Sequence, residues 1–134
     1  MDKYLVYLGG HMPVIHQEQA TVFETHGSRF HSYVALSSGG TSICAWRLEV
    51  PPNLRGVAHR PSREEVLLVL EGVLDVTLDG TTTAVEPGCV VLVPADTELR
   101  IDSGPSGAAA WVTTTPGLSA VMSDGTKIAP PWAN

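Results

Sequence analysis

The feature of this sequence that most constrains its fold is a series of short apolar segments separated by turn residues. After residue 20 these segments recur at intervals of roughly ten residues, and no window carries apolar residues at helical spacing. Residues 41–50 alternate between apolar and polar side chains, which places every second residue from Cys44 to Val50 on one predicted face. Short strands with turns between them are typical of an antiparallel sandwich or barrel. We therefore predict an all-β fold.

Turn residues mark where the predicted strands end. Asp79-Gly80 is the strongest hairpin signal in the chain, because both residue types tolerate the positive φ angles of a tight two-residue turn. Glycine and proline close the other apolar runs in the same way. Besides residues 41–50, the predicted strands cover residues 66–70, 73–78, 81–85, 89–93, 99–102 and 108–114.

The length of the chain, 134 residues, fits one domain that buries a core of its own. No internal repeat or linker divides the sequence, so we predict a single domain over residues 1–134. The first residues leave an alternative open. Residues 9–12, GGHM, resemble a cloning scar, so residues 1–11 are either native or vector-derived, and His11 is given no role.

The charge balance argues against nucleic acid as a partner. Eight basic residues stand against fourteen acidic ones, and the formal net charge of −6 repels phosphate backbones. No apolar run approaches the length that spans a bilayer, and the N-terminus lacks the pattern of a secretory signal. Cys44 and Cys89 have no CxxC spacing and lie in apolar segments, so we predict buried, reduced thiols and a cytoplasmic protein.

Two motifs carry a resemblance to a known family. Residues 56–65 read GVAHRPSREE and are followed, after six further residues, by Gly72. Gly80 is followed by residues 87–96, PGCVVLVPAD. This order and spacing resemble the two motifs of the cupin superfamily, in particular its small single-domain (cupin_2-like) members, over about residues 41–114. The resemblance implies a cupin-type antiparallel β-barrel, a jelly roll.

The resemblance also implies where a metal would bind and shows that the site is degenerate. In metal-binding cupins, two histidines and a glutamate of the first motif converge with a histidine of the second. His59 and Glu65 keep two of these positions here, whereas Pro61 and Leu99 replace the other two histidines. Catalytic zinc sites use three protein ligands, so we expect no cofactor. The alternative is a divalent Zn, Fe, Mn or Ni held by His59, Glu65 and one further donor, for which the candidates are His26, His31 and Glu64.

The same replacements favour a pocket for a small molecule. Pro61 and Leu99 make the barrel mouth more apolar than the family pattern, and further apolar wall is predicted from Trp46, Leu67 and Ile101. Ligand pockets are mostly apolar with a few convergent polar groups, which is the composition predicted here. We therefore expect an apolar or aromatic small molecule as substrate or ligand.

Three functions remain open for such a pocket. The first is an enzyme of the isomerase, cyclase, dehydratase or decarboxylase type, working by acid–base chemistry next to a carbonyl. His59 would be its acid or base, and Glu65 would orient the imidazole. The resemblance extends this range to cyclases of natural-product metabolism. The second is a non-catalytic protein that binds a small ligand, and the third is a metal-dependent oxygenase with an atypical ligand set.

Homodimerisation is also implied by the resemblance to cupins. Residues 14–23 are predicted to cross onto the sheet of a partner. Trp132 follows two prolines that exclude a regular strand or helix, and we expect it to pin this segment to the barrel or to a second subunit.

Overall fold

The computed structural model describes residues 14–134, and the possible cloning sequence at residues 1–11 lies outside this range. Three short 3-10 turns, at Gln17–Gln19, Leu36–Ser38 and Pro131–Ala133, accompany the strands. The strands of the described residues are β1 Thr21–Thr25, β2 Ser28–Val34, β3 Cys44–Val50, β4 His59–Pro61, β5 Glu65–Leu78, β6 Thr81–Val85, β7 Val90–Val93, β8 Leu99–Thr114, β9 Ala120–Met122 and β10 Lys127–Ile128. The predicted all-β fold is confirmed.

All strand pairings are antiparallel, and the sheet curls into a barrel. Its main path runs β1-β2-β3-β8-β4-β9-β10, while β5 pairs with β6, β7 and β8. The C-terminal half of β8 lies between β3 and β5, so that Thr114 is opposite both Cys44 and Glu65. The other end of β8 pairs with β4, where Leu99 is opposite His59. Residues of the first motif therefore pair with both ends of β8, His59 with Leu99 and Glu65 with Thr114.

The long strand β5 differs from the sequence prediction. Two strands were expected at residues 66–70 and 73–78, but a single strand runs through both and shifts register on either side of Gly72. Gly72 has a φ of +69°, and a Cβ atom there would lie 2.1 Å from the carbonyl oxygen of Gly107. The motif glycine therefore permits a bulge and a close backbone approach instead of ending the strand. The strands expected at 99–102 and 108–114 likewise form one strand, β8.

The hairpin predicted at Asp79-Gly80 is present. Leu78 pairs with Thr81 across it, and the two turn residues have φ angles of 45° and 86°. Two consecutive positive φ angles define the type I′ geometry that matches the twist of the flanking strands. The turn chemistry thus sets the register of β5 against β6.

The core lies between the inward faces of the strands. The face of β3 predicted from Cys44 to Val50 is buried, with the indole of Trp46 at 3% exposure. Fully buried neighbours from other strands include Leu67, Leu74 and Val93. The described residues contain no helix with the length and hydropathy needed to cross a membrane.

One expectation about the surface is wrong. Cys89 is exposed and not buried, because it lies in the turn before β7, where its N–H bonds the Glu86 carbonyl at 3.1 Å. The end of the segment predicted to cross to a partner forms β1, which pairs with β2 from Thr21 opposite Ser32 to Thr25 opposite Ser28. The crossing itself stays a prediction.

Candidate ligand and acid–base site

An apolar cavity of about 120 Å³ lies inside the barrel. It is lined by residues of β1, β2, β3, β4, β5, β8, β9 and β10 together with segments that join and follow these strands. All seven residues that the sequence singled out line this one cavity, namely Trp46, His59, Pro61, Glu65, Leu67, Leu99 and Ile101. Their roles in binding or chemistry remain predictions.

The β4 strand explains why the cavity is apolar at the two positions where the resemblance implied histidines. His59 begins this short strand, and Pro61, two residues further on, is buried. Leu99 lies directly opposite His59 on β8, and Met122 lies opposite it on β9. The two positions expected to hold further histidines are therefore filled by a pyrrolidine ring and an isobutyl group next to the remaining imidazole.

Glu65 is a buried carboxyl group on the cavity wall. It is the first residue of β5, is 7% exposed, and takes part in no side-chain hydrogen bond with any residue of 14–134. Burial away from water disfavours the charged form and raises the pKa of Glu65 to about 7. Its carboxyl group is therefore largely protonated just below neutral pH, where it can donate a proton.

The neighbouring Cys44 thiol has a structural role. Its Sγ contacts the Thr114 carbonyl at 3.6 Å. Burial, and secondly the negative charge of Glu65, raise the pKa of Cys44. A protonated thiol is a weak nucleophile and a poor metal ligand, so Cys44 adds no donor to the site.

His59 is oriented by the backbone. Its Nδ1 lies 2.8 Å from the carbonyl oxygen of Val57, and because a carbonyl only accepts, Nδ1 carries the proton and Nε2 keeps a lone pair. Desolvation is the main cause that lowers the pKa of His59; repulsion from His26 adds to it, and the Val57 bond opposes it. The expected orienting bond from Glu65 is absent, since no hydrogen bond joins these two side chains in the described residues.

The candidates for a third metal donor are scattered. His31 is not among the residues that line the cavity, its Nε2 lies 2.8 Å from Oε1 of Glu49, and Glu64 is exposed. His26 lies in the β1–β2 turn and lines the cavity. Within residues 14–134 no group of three or more His, Cys, Asp or Glu side chains is arranged to hold a metal ion. The donor set therefore does not fit a site that needs three protein ligands.

Part of the cavity wall was not predicted from the sequence. It comes from Phe30 and from residues after β8, including Leu118, Met122 and Trp132. Trp132 stacks on Phe30 with ring centroids 3.8 Å apart, and its carbonyl accepts a 2.8 Å hydrogen bond from Ser32. The tryptophan thus packs against the barrel, as expected, and lines the cavity as well. The alternation in Ala120-Val121-Met122 is the only sequence signal for this wall.

Comparison with protein families gives a match to the Cupin domain over residues 46–115, more than half of the chain. The chain belongs to the cupin family, and the resemblance stated from its two motifs is confirmed. The search of curated proteins gave no significant match.

Solved structures share the fold at low sequence identity. An RmlC-like cupin from Shewanella frigidimarina is 20% identical with a TM-score of 0.65, over 75% of this chain and 86% of that one. The polyketide cyclase RemF from Streptomyces resistomycificus is 21% identical with a TM-score of 0.68, over 81% and 84%. A salicylate 1,2-dioxygenase from Pseudaminobacter salicylatoxidans is 15% identical with a TM-score of 0.65, over 75% of this chain and 31% of that one. At these identities the likeness concerns the fold alone.

Proposed function

We propose that this protein is an enzyme that moves protons next to a carbonyl group of a small apolar molecule bound inside the barrel. One observation carries the proposal: His59 and Glu65 line the same apolar cavity without being hydrogen-bonded to each other. Two titratable groups that are free of one another can act separately, one as base and one as acid. Isomerisation, cyclisation, dehydration and decarboxylation all use such a step.

The roles follow from the surroundings of each group. The Nε2 lone pair of His59 removes a proton from the carbon next to the carbonyl, and the electron pair of that C–H bond forms the new C=C bond. The protonated carboxyl of Glu65 delivers a proton to the carbonyl oxygen, giving a neutral enol. In the pH range above the lowered pKa of His59 and below the pKa of Glu65 at about 7, both groups are mostly uncharged before the reaction, because burial raises the pKa of Glu65 and lowers that of His59.

The kind of substrate is supported by a structural relative. RemF is named as a polyketide cyclase and shares the fold over most of both chains. We therefore place the proposed reaction in natural-product metabolism, with cyclisation as the first reaction to test. The proposal includes a cytoplasmic location, which the buried free thiol of Cys44 supports.

Proton exchange in D₂O tests the proposal directly. Cyclohexanone is a ring-sized ketone, and ¹H NMR follows the loss of its protons next to the carbonyl. We expect the protein to accelerate this exchange and His59→Ala to lower the protein-dependent rate by a factor of about 10² to 10⁴. His31→Ala is the matched control, since it removes an imidazole that does not line the cavity.

The exchange experiment also separates the alternatives. Binding of the ketone without any acceleration would contradict the enzyme proposal and favour the non-catalytic ligand-binding protein. A metal-dependent oxygenase is the weaker alternative, because only two of the four family ligand positions hold donors.

We also propose that the protein forms a homodimer through the outer face of the barrel. Val66 on β5 is opposite Leu92 on β7, and Leu68 is opposite Val90. Leu92 is 54% exposed and Val90 is 58% exposed, so this strand pair presents an apolar surface to water. Contiguous apolar patches on a sheet mark interaction sites, and a second copy of the same face would cover them symmetrically.

A further inference from the structure

The segment that leads into β4 is held against β8 by a series of hydrogen bonds. The amide of Leu54 donates to the Ser103 hydroxyl at 3.0 Å, and the amide of Ser103 donates to the Leu54 carbonyl at 2.9 Å. The amide of Gly56 donates to Oδ1 of Asp102 at 2.9 Å. Only glycine fits this place, because a Cβ atom on Gly56 would lie 2.1 Å from the carbonyl oxygen of Ile101. The first glycine of the first motif therefore lets the segment lie directly on β8.

The carboxylate of Asp102 is held from its other side as well. Its Oδ2 accepts a hydrogen bond from Nε of Arg100 at 3.1 Å, and the two side chains are 19% and 27% exposed. A charged acceptor makes a stronger hydrogen bond than a neutral one. Ile101 lines the cavity, whereas Arg100 and Asp102 on either side of it do not. Side chains alternate along a strand, so Asp102 contacts the segment from behind the cavity wall.

Val57 connects this anchored backbone to the site. It directly follows Gly56, and its carbonyl oxygen lies 2.8 Å from Nδ1 of His59. The hydrogen bond on one ring nitrogen of a neutral imidazole decides which nitrogen carries the proton. The placement of the Val57 carbonyl therefore keeps the proton on Nδ1 and the lone pair on Nε2.

We infer that Asp102 is a positioning residue, whose carboxylate fixes the Gly56 amide so that the Val57 carbonyl selects the Nδ1–H tautomer of His59. The inference rests on the proposed function for the role of His59 as the base. The tautomer itself is a property of the protein without a ligand, so it is measured without any turnover.

NMR of protein labelled with ¹⁵N in histidine tests the inference, because the ¹⁵N shifts of a neutral imidazole separate its protonated nitrogen from the unprotonated one. The spectra are recorded at about pH 8, where an ordinary imidazole is neutral, and His59→Ala assigns the His59 signals. In Asp102→Ala we expect the ratio of Nδ1–H to Nε2–H in His59 to fall about fivefold, the size of one neutral hydrogen bond. The Gly56 amide should also exchange faster with solvent.

Three further variants separate positioning from a general loss of structure. Asp102→Leu has nearly the same shape as the wild type without an acceptor, so it should give the same fall as Asp102→Ala. Asp102→Asn keeps an oxygen that can accept the Gly56 amide and should retain the wild-type ratio. Ser103→Ala is the matched control, because it removes a hydrogen bond that holds Leu54 in the same segment. It should leave the His59 ratio unchanged.

Three results would overturn the inference: an Nε2–H tautomer of His59 in the wild type, an unchanged ratio in the folded acceptor-free variants, or an equal fall in Ser103→Ala. The test is independent of the exchange assay. A ratio that falls as expected in a protein that accelerates no exchange overturns the proposed function alone. Exchange in the wild type with a ratio that does not respond to Asp102 overturns the role of Asp102 alone.

Discussion

The buried carboxyl of Glu65 makes the stability of the protein depend on pH in a defined direction. Its pKa rises from an ordinary value of 4.5 to about 7 in the folded barrel. Between these values the folded chain holds one proton more than the unfolded chain, so the free energy of unfolding falls as pH rises. The contribution of protonated Glu65 to the free energy of unfolding is fully present below pH 4.5 and is lost once the pH has passed through about 7.

Glu65→Gln removes this dependence, because the amide has nearly the same shape and does not ionise. Each pH unit between the two values is worth about 1.4 kcal/mol, so the full loss in the wild type is about 3 kcal/mol. We therefore expect the variant to be about as stable as the wild type at pH 4 and more stable by about 3 kcal/mol at pH 8. The whole difference should develop between these two pH values.

Urea unfolding at a series of pH values, followed by tryptophan fluorescence, measures the difference. Glu64→Gln is the matched control, because it removes a carboxylate one residue away at an exposed position. Exposed charges contribute little to stability, so its effect should be small at every pH. A Glu65→Gln difference that does not change with pH would refute the assignment of Glu65 as a buried carboxyl that is neutral below pH 7.

Three other changes test the site, the fold and the surface. The protein-dependent exchange rate should have a bell-shaped dependence on pH. It should fall above pH 7 or so as Glu65 ionises, and on the acid side only below pH 6.5 as His59 gains a proton. A rate that rises steadily with pH would exclude Glu65 as the acid. Gly72→Ala should lower the free energy of unfolding in urea by about 3 kcal/mol or more, against about 1 kcal/mol for Gly80→Ala. Both glycines have a positive φ, but only at Gly72 would the new Cβ atom meet backbone atoms. Equal losses of stability would contradict the assignment of Gly72 to a bulge. Leu92→Lys should convert a dimer to a monomer in sedimentation equilibrium, whereas Leu36→Lys, at another exposed site, should not.

The fold was largely predictable because its signals are local. Alternation in residues 41–50 and the Asp79-Gly80 turn each depend on a few neighbouring residues, and β3 and the β5–β6 hairpin formed as predicted. The continuity of β5 was not predictable, because a glycine after a strand is read as a stop. Only the close approach of Gly107, which comes from β8, shows that Gly72 is a bulge.

The candidate site was predictable where the motif spacing applies and not elsewhere. His59 and Glu65 reach the cavity because β4 and β5 follow the first motif. Met122 lies in a strand of three residues, whose alternation is a weak signal, and Trp132 lies in a segment too short to show a period.

The pairing of β5 and β8 has a consequence for how the protein folds. Thr114 on β8 pairs with Cys44 on β3 and with Glu65 on β5, both of which are far away along the chain. The barrel therefore closes only after the long loops between these residues have been ordered. Such topologies have high contact order and fold in milliseconds to seconds. The cavity exists only when β8 has docked between β3 and β5, so a partly folded chain has nowhere to hold the ligand. A bound ketone should therefore raise the melting temperature of the whole barrel as one cooperative unit.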